Sequence, residues 1–415
     1  MPRSLAVAPL AVTLALATAC CSPGKSGADG GSGTTGGIPS AGPLGGKFVT
    51  TNQADGTLSV VEPTGCKFDG PILTPVIVEQ NMEMPHEISM DPNGQFFVIC
   101  YMEMPASDRA ALAQGASEIA MMNSTIPGYL LKLSAKDGSL LGKVQVEPDP
   151  GDNALSPDGT VDYVSHFNQP AVIAAETAGV TDPTKMYADL YAIDTASMAV
   201  LAKVPTCPEA HVIELSPDGK RLYVTCLDDE VSVIDVSNER APVKLQNVQE
   251  LPGGEELPSS ASLSPYALQT SPLDGSVWVS NWGSKDLRIM DATKLQFVQT
   301  VQTPGGALPV FTTFTADGKT AYNAHQQPDG VAVYSWNGQS AALVTDLTMP
   351  ASDCQNPHQI VLSADEKTGY VLCEGDHVHP GQFVTLDLTT HAVVCSQAIG
   401  IYPIEMDLMP MPSGG

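Results

Sequence analysis

Positive charge is what this 415-residue chain has least of: 19 lysines and arginines face 46 aspartates and glutamates, a formal net charge of −27 at pH 7. A surface of that sign repels phosphate backbones and anionic head groups, so nucleic acid is excluded as a partner. Aromatics are scarce at 6%, while glycine (37) and proline (34) are plentiful, a balance that suits many turns and short strands. Past the first twenty residues no apolar run is long enough to cross a bilayer. The sequence has no Gly-x-Ser-x-Gly elbow, no phosphate-binding glycine loop, no haem-attachment Cys-x-x-Cys-His and no EF-hand calcium loop. Acidic pairs such as Glu255-Glu256 and Asp228-Asp229 read as solvated loop charge.

What is present begins with a targeting segment. Arg3 precedes an apolar stretch, Leu5 to Ala19, too short to span a membrane as a helix. It ends Leu16-Ala17-Thr18-Ala19-Cys20, which resembles the bacterial lipobox. The resemblance implies a signal peptide over 1–19, lipidation of Cys20 and a membrane tether that does not span. Cys21, not Asp, follows, which by the same resemblance implies the outer membrane or cell surface of a bacterial envelope. Residues 20–45 carry the modified Cys and a Gly/Ser-rich flexible stalk.

From residue 46 to 412 the chain repeats itself. Ala210 to Thr225 reads as a strand, a Ser216-Pro217-Asp218-Gly219 turn and a second strand, followed by a third over 231–236. The turn recurs at Asp91-Pro92-Asn93-Gly94, Ser156-Pro157-Asp158-Gly159, Ser271 to Gly275, Thr315-Ala316-Asp317-Gly318 and Ser363-Ala364-Asp365-Glu366. Repeats of roughly 40–50 residues with several short strands each build β-propellers. These six units are completed by a seventh split between the termini. Three strands near the start (47–52, 57–62, 73–79) lack a first strand, and Tyr402 to Leu408 is a first strand with nothing after it. The expected fold is all-β, a seven-bladed propeller closed by its N- and C-terminal strands.

The turns followed by Tyr223-Val224-Thr225, Tyr163-Val164-Ser165 and Trp278-Val279-Ser280-Asn281 resemble the YVTN-repeat family of seven-bladed propellers. The resemblance implies this fold and supplies no catalytic residues. The family includes extracytoplasmic and surface proteins of unassigned function.

Propeller geometry sorts the unusual residues onto one face. The first position of strand A reads Ile404, His86, Gly151, His211, Tyr266, Val310, His358 around the ring. The end of strand B reads Thr51, Cys100, His166, Cys226, Asn281, His325, Cys373. Cys207/Cys226 and Cys354/Cys373 share a 19-residue spacing and are expected to form two equivalent disulfides in an exported protein. Met82 stands where the other two blades have Cys207 and Cys354, which leaves Cys100 alone; the pairing of Cys66 and Cys395 stays open.

Five histidines, His86, His166, His211, His325 and His358, are expected at the channel mouth, with His377 and His379 beside them. Imidazoles gathered there, near Met82, Met84, Met102 and Met104, suit copper or another transition metal. The functional expectation is a monomeric lipid-anchored module whose face binds a protein, glycan or small ligand. The alternative is a metal carrier or oxidoreductase at the histidine rim. No cofactor is assured, and binding is favoured over catalysis.

Overall fold

The computed structural model describes residues 44–65, 67–73, 81–105, 124–255 and 262–411. The expected leader, Cys20, the stalk, Cys66 and most of the first long insertion lie outside the described residues.

Each Asp-Gly-type turn reverses the chain after a short run rich in β-branched and aromatic residues. The result is 28 strands in seven antiparallel sheets of four. Blade 4, for example, consists of strands A to D over Ala210–Leu215, Arg221–Cys226, Glu230–Asp235 and Val243–Gln249. Glycine supplies the positive φ of five turns, at Gly94, Gly159, Gly219, Gly275 and Gly318, and Glu366 (φ 56°) takes it in the sixth. The inner strands lie between neighbouring blades and are buried on both faces, as at Val161–His166. The outermost strand is half solvated, as at Val243–Gln249. Tyr223, Val231 and Val233 pack across the blade boundary on Leu268, Val277, Val279 and Met290. Full burial of one such valine is worth about 1.5–3 kcal/mol.

The ring closes as expected. Strand Pro403–Leu408 pairs antiparallel with Phe48–Asn52, with Phe48 opposite Leu408 and Thr51 opposite Glu405. One strand is corrected: the outer strand after Thr57–Glu62 is Lys67–Leu73, because a two-strand reversal follows Glu62 at once rather than after ten residues. A helix, α1 (Gln169–Thr177), lies in the insertion after strand B of blade 3.

The innermost strands, A, are Pro403–Leu408, Asn81–Met90, Pro150–Leu155, Ala210–Leu215, Pro265–Thr270, Leu308–Phe314 and Pro357–Leu362 in blades 1 to 7. In every blade the A–B ladder slips near the start of strand A. In blade 4 pairing leaves off at Ala210/Cys226 and resumes at Ile213/Val224, so His211 and Val212 stand in a bulge. Bulges bend a strand and re-aim its side chains. Five A strands are entered through a non-glycine residue at positive φ: Asp149, Glu209, Ser264, Asn356 and Tyr402 (φ 49–57°). Left-handed backbone at such residues is held only by tight surroundings and concentrates at functional sites.

Both expected disulfides are present, Cys207–Cys226 and Cys354–Cys373, with Cα–Cα distances of 5.9 and 5.3 Å. The position assigned to Cys100 is corrected. Pro85 faces Tyr101, just as Pro357 faces Cys373, so Tyr101 ends the aligned stretch and Cys100 points the other way into an apolar cluster. Likewise Asn52, not Thr51, faces Pro403. A one-residue slip turns every side chain to the opposite face of a sheet. The Met82 analogy fails for a related reason. The blade 2 hairpin extends upward to Asn81/Pro105, which sets Met82 opposite Met104 rather than beside Cys100.

Candidate functional site

The bulges of blades 2, 4, 5 and 7 contain His86, His211, Tyr266 and His358. Each follows directly on a Pro or Ala that pairs with strand B, and each is at most 3% exposed. Their rings form a chain across the mouth. Centroids are 5.9 Å apart for His86–His211, 4.9 Å for His211–Tyr266 and 5.9 Å for Tyr266–His358. Trp282 stacks on Tyr266 at 4.1 Å, Phe311 meets His358 at 5.3 Å, and Phe167 meets His211 at 5.9 Å. The polar rings are therefore walled by apolar ones, which lowers the local dielectric and strengthens any charge interaction inside.

Hydrogen bonds fix two of these groups. His211 Nδ1 lies 3.0 Å from the Tyr266 carbonyl oxygen. A carbonyl only accepts, so Nδ1 carries a proton, and in the neutral ring Nε2 is the basic nitrogen. Tyr266 Oη lies 3.0 Å from His358 Nε2. His86 Nδ1 lies 3.8 Å from Glu87 Oε1.

One residue deeper, blades 1, 2 and 3 contribute Glu405, Glu87 and Asp152, with carboxylate oxygens all within 4.8 Å of one another. Two of these acids have a visible structural task. Glu405 Oε2 accepts from the Ile88 N–H, and Asp152 Oδ2 accepts from the Ile213 N–H at 2.8 Å. Gln359 of blade 7 does the same for Met406 of blade 1 at 2.8 Å. Each acceptor caps the amide at the bulge of the next blade, so the ring is stitched from blade to blade. Burial pushes Asp152 well above the usual carboxylate range, with the Glu405 charge adding to it. Burial raises Glu405 to about 7, against the hydrogen bonds from Glu87 and the Ile88 amide. Among the described residues this trio is the group of three or more His, Cys, Asp or Glu whose donor atoms converge closely enough for a cation; the mouth histidines do not.

The five-histidine convergence is corrected. His166 and His325 end strand B as expected but turn outward into their own blades. His166 Nδ1 donates to the Asp189 carbonyl at 2.6 Å, its ring lies 4.6 Å from Tyr191, and burial lowers its pKa to about 4. His325 Nδ1 lies 2.7 Å from the Pro328 carbonyl oxygen and its Nε2 lies 2.8 Å from Asp346. Strand B lies outside strand A, so its terminal side chains reach the outer strands, not the channel. His377 stacks on Tyr402 at 3.6 Å with Nε2 2.6 Å from Glu374, while His379 is exposed beside Asp376. Met82, Met84, Met102 and Met104 pack with Tyr402 and Ile404 as apolar core.

Tyr266, Asp152, Glu405 and Glu374 were not singled out by sequence as site residues. The signal existed for three of them, since they fall within the first three residues of strand A. Glu374 follows Cys373 directly and had none. A pocket of about 440 Å³ opens at the other end of the channel, lined by Glu214, Gln269, Thr270, Thr313 and Phe314 among others. Burial raises Glu214 to about 8, and no second titratable group faces it from the lining. The histidine mouth has base, donor and acid together, so the chemistry is placed there.

Residues 211–361 match the family model described as lactonase, 7-bladed beta-propeller; the YVTN-repeat family itself is not shown. No curated protein matches the sequence. Among solved structures, the periplasmic gluconolactonase PpgL of Pseudomonas aeruginosa is similar at 14% identity and TM-score 0.60, covering 88% of this chain and 99% of that one. A candidate 6-phosphogluconolactonase from Bacteroides uniformis gives 14%, 0.61, 87% and 98%. A protein of unknown function from Desulfotomaculum acetoxidans gives 11%, 0.64, 88% and 99%. Identities this low speak for the fold. The family match over residues 211–361 speaks against the functional expectation of a ligand-binding lipoprotein face, or of a metal carrier or oxidoreductase. The bulges bury these rings, at most 3% exposed, instead of displaying them on an open rim.

Proposed function

We propose that the channel mouth hydrolyses a lactone. The observation that carries this reading is the span of the lactonase match, which begins at His211 and runs through Tyr266 to His358. Three of the four polar rings at the mouth thus fall inside it. In this reading His211 Nε2 takes a proton from water as the water oxygen attacks the lactone carbonyl carbon. Tyr266 Oη–H donates to the oxyanion that forms. The ring C–O bond then breaks, His211 returns its proton to the leaving oxygen, and the product is an open hydroxy acid.

The charge of the site favours a neutral substrate. The A and B strands of all seven blades contain a single lysine or arginine, Arg221, at the end away from the mouth and bonded to the Ala292 carbonyl. Carboxyl groups lie directly beneath the histidines. A phosphate group would meet no described cation there, so an unphosphorylated sugar lactone suits the site better than a 6-phosphorylated one. The two disulfides support work in an oxidising compartment, in keeping with the expected export.

Purified protein is given glucono-δ-lactone or its 6-phosphate in a pH-stat. Turnover of the neutral lactone is expected, and His211→Gln is expected to cut kcat by roughly 10²–10⁴-fold with the circular dichroism spectrum unchanged. Rates for both lactones equal to the spontaneous ones would overturn the reading. Preference for the phosphorylated lactone would overturn its substrate half.

A further inference from the structure

Lactone hydrolysis at a buried site has a proton to dispose of. The product is an acid that ionises at neutral pH, so each turnover releases one proton where the nearest rings are at most 3% exposed. A line of polar contacts leads out from the mouth. Tyr266 Oη lies 3.0 Å from His358 Nε2. The same nitrogen lies 3.8 Å from Glu374 Oε1, and Glu374 Oε2 lies 2.6 Å from His377 Nε2. His377 is the first member to reach solvent, with 11% of its side chain exposed against 1% for His358 and 6% for Glu374.

Every joint of this line is braced. Gln326 Nε2 donates to Glu374 Oε1 at 2.6 Å. The Glu374 and Gly375 amides donate to the Asn356 and Gln355 carbonyls at 3.0 Å each, and Asn356 Nδ2 donates to the Gly375 carbonyl at 2.9 Å. The Cys354–Cys373 disulfide ties the two loops just before these contacts. Tyr402 stacks on the His377 ring, and His377 itself sits at φ 62°. His377 is thus held in place by a stacked ring on one side and a carboxyl group within hydrogen-bond distance.

We propose that Glu374 and His377 carry the product proton from His358 to solvent, an inference that rests on the lactonase reading. The O–H bond of the new carboxylic acid breaks to the Tyr266 oxygen while the Tyr266 proton passes to His358 Nε2. His358 gives that proton to Glu374 Oε1 by a small swing from its 3.0 Å to its 3.8 Å partner. The Glu374 carboxyl group then turns so that this same proton faces His377 Nε2, which accepts it, and His377 releases its Nδ1 proton to buffer. The sum is lactone plus water giving hydroxy-carboxylate plus a solvated proton. Glu374 and His377 are positioning residues, since neither touches substrate.

The test measures steady-state lactone turnover against buffer concentration. In dilute buffer His377→Ala is expected to lower kcat roughly tenfold with kcat/KM little changed, and added imidazole restores it in a saturable way. Glu374→Gln keeps the shape and the Gln326 contact but cannot carry a proton. It is expected to lose kcat equally and to resist imidazole. A His377→Ala rate that equals wild type at every buffer concentration, or a loss that imidazole does not reverse, overturns the relay. An unmodified protein with no lactone turnover at all fails the earlier reading instead, so the two failures are distinct.

Discussion

Single residues at the start of strand A do two jobs here, and the sequence order of those jobs is informative. The first residue of each bulge faces the mouth, as His86, His211, Tyr266 and His358 do. The residue after it faces the neighbouring blade, as Asp152 and Glu405 do. Asp152 accepts from two amides, Ile213 N–H at 2.8 Å and Asn153 N–H at 2.6 Å. Asp152→Ala leaves both donors buried without it and is expected to destabilise the fold by about 1–3 kcal/mol. Asp152→Asn, whose amide oxygen still accepts, is expected to lose less. Urea midpoints of the two variants check this, and equal midpoints for Ala and wild type would show that the clamp contributes nothing.

Whole hairpins set the mouth geometry. The A–B hairpins of blades 4 and 7 hold His211 and His358, and these two carry the disulfides. Each bond joins the loop before strand A to the end of strand B, so it fixes the approach to the bulge. A closed loop of this length is worth about 3 kcal/mol. Cys354→Ser together with Cys373→Ser is expected to lower the melting temperature. It is also expected to reduce activity more than the matching Cys207/Cys226 pair, because the Glu374 loop begins at Cys373. Calorimetry and initial rates on the two double variants decide it; unchanged melting in both would rule out a structural contribution. Spacing alone gave these pairs. The register of blade 2 was not legible in the same way, because its extended hairpin moves Tyr101 into the place that the other blades give to Cys226 and Cys373.

The acid content acts at the scale of the whole molecule. Burial raises Glu214, Asp228, Glu250 and Asp149 to about 8, Glu405 to about 7 and Asp407 to about 6. The native protein therefore binds protons that the unfolded chain has already released above its ordinary carboxylate pKa near ~4. Stability present below that point is lost as the pH rises through 6 to 8. Turn aspartates act in the opposite sense. The Ser197 hydroxyl and amide lower Asp194 to about 2, and the Ser216 hydroxyl with the Lys220 amide lowers Asp218. What they add is present above about pH 4 and is lost toward pH 2. His166, held neutral with a pKa of about 4, also favours unfolding on acidification, but one histidine opposes many raised acids. The melting temperature is expected to peak near pH 5 and to fall by several degrees toward pH 8. Calorimetry across pH 3–9 tests this, and a maximum at or above pH 8 would contradict it.

The repeating turns, the alternation of apolar strands and the orphan strand at each end determined a seven-bladed, terminally closed wheel, because local turn chemistry and unpaired edges leave few other solutions. The same one-dimensional pattern put His86, His211 and His358 on strand A, where the structure has them, but set His166 and His325 beside them. Strand order along the chain says which end of a blade a residue occupies. Only the bulge, the neighbouring blade and the tilt of the outer strands decide whether its side chain enters the channel. Glu374, Tyr266 and the stitched carboxyl groups meet the histidines across blade boundaries, through contacts between residues as far apart as 317 positions, and that proximity exists only once the ring has closed.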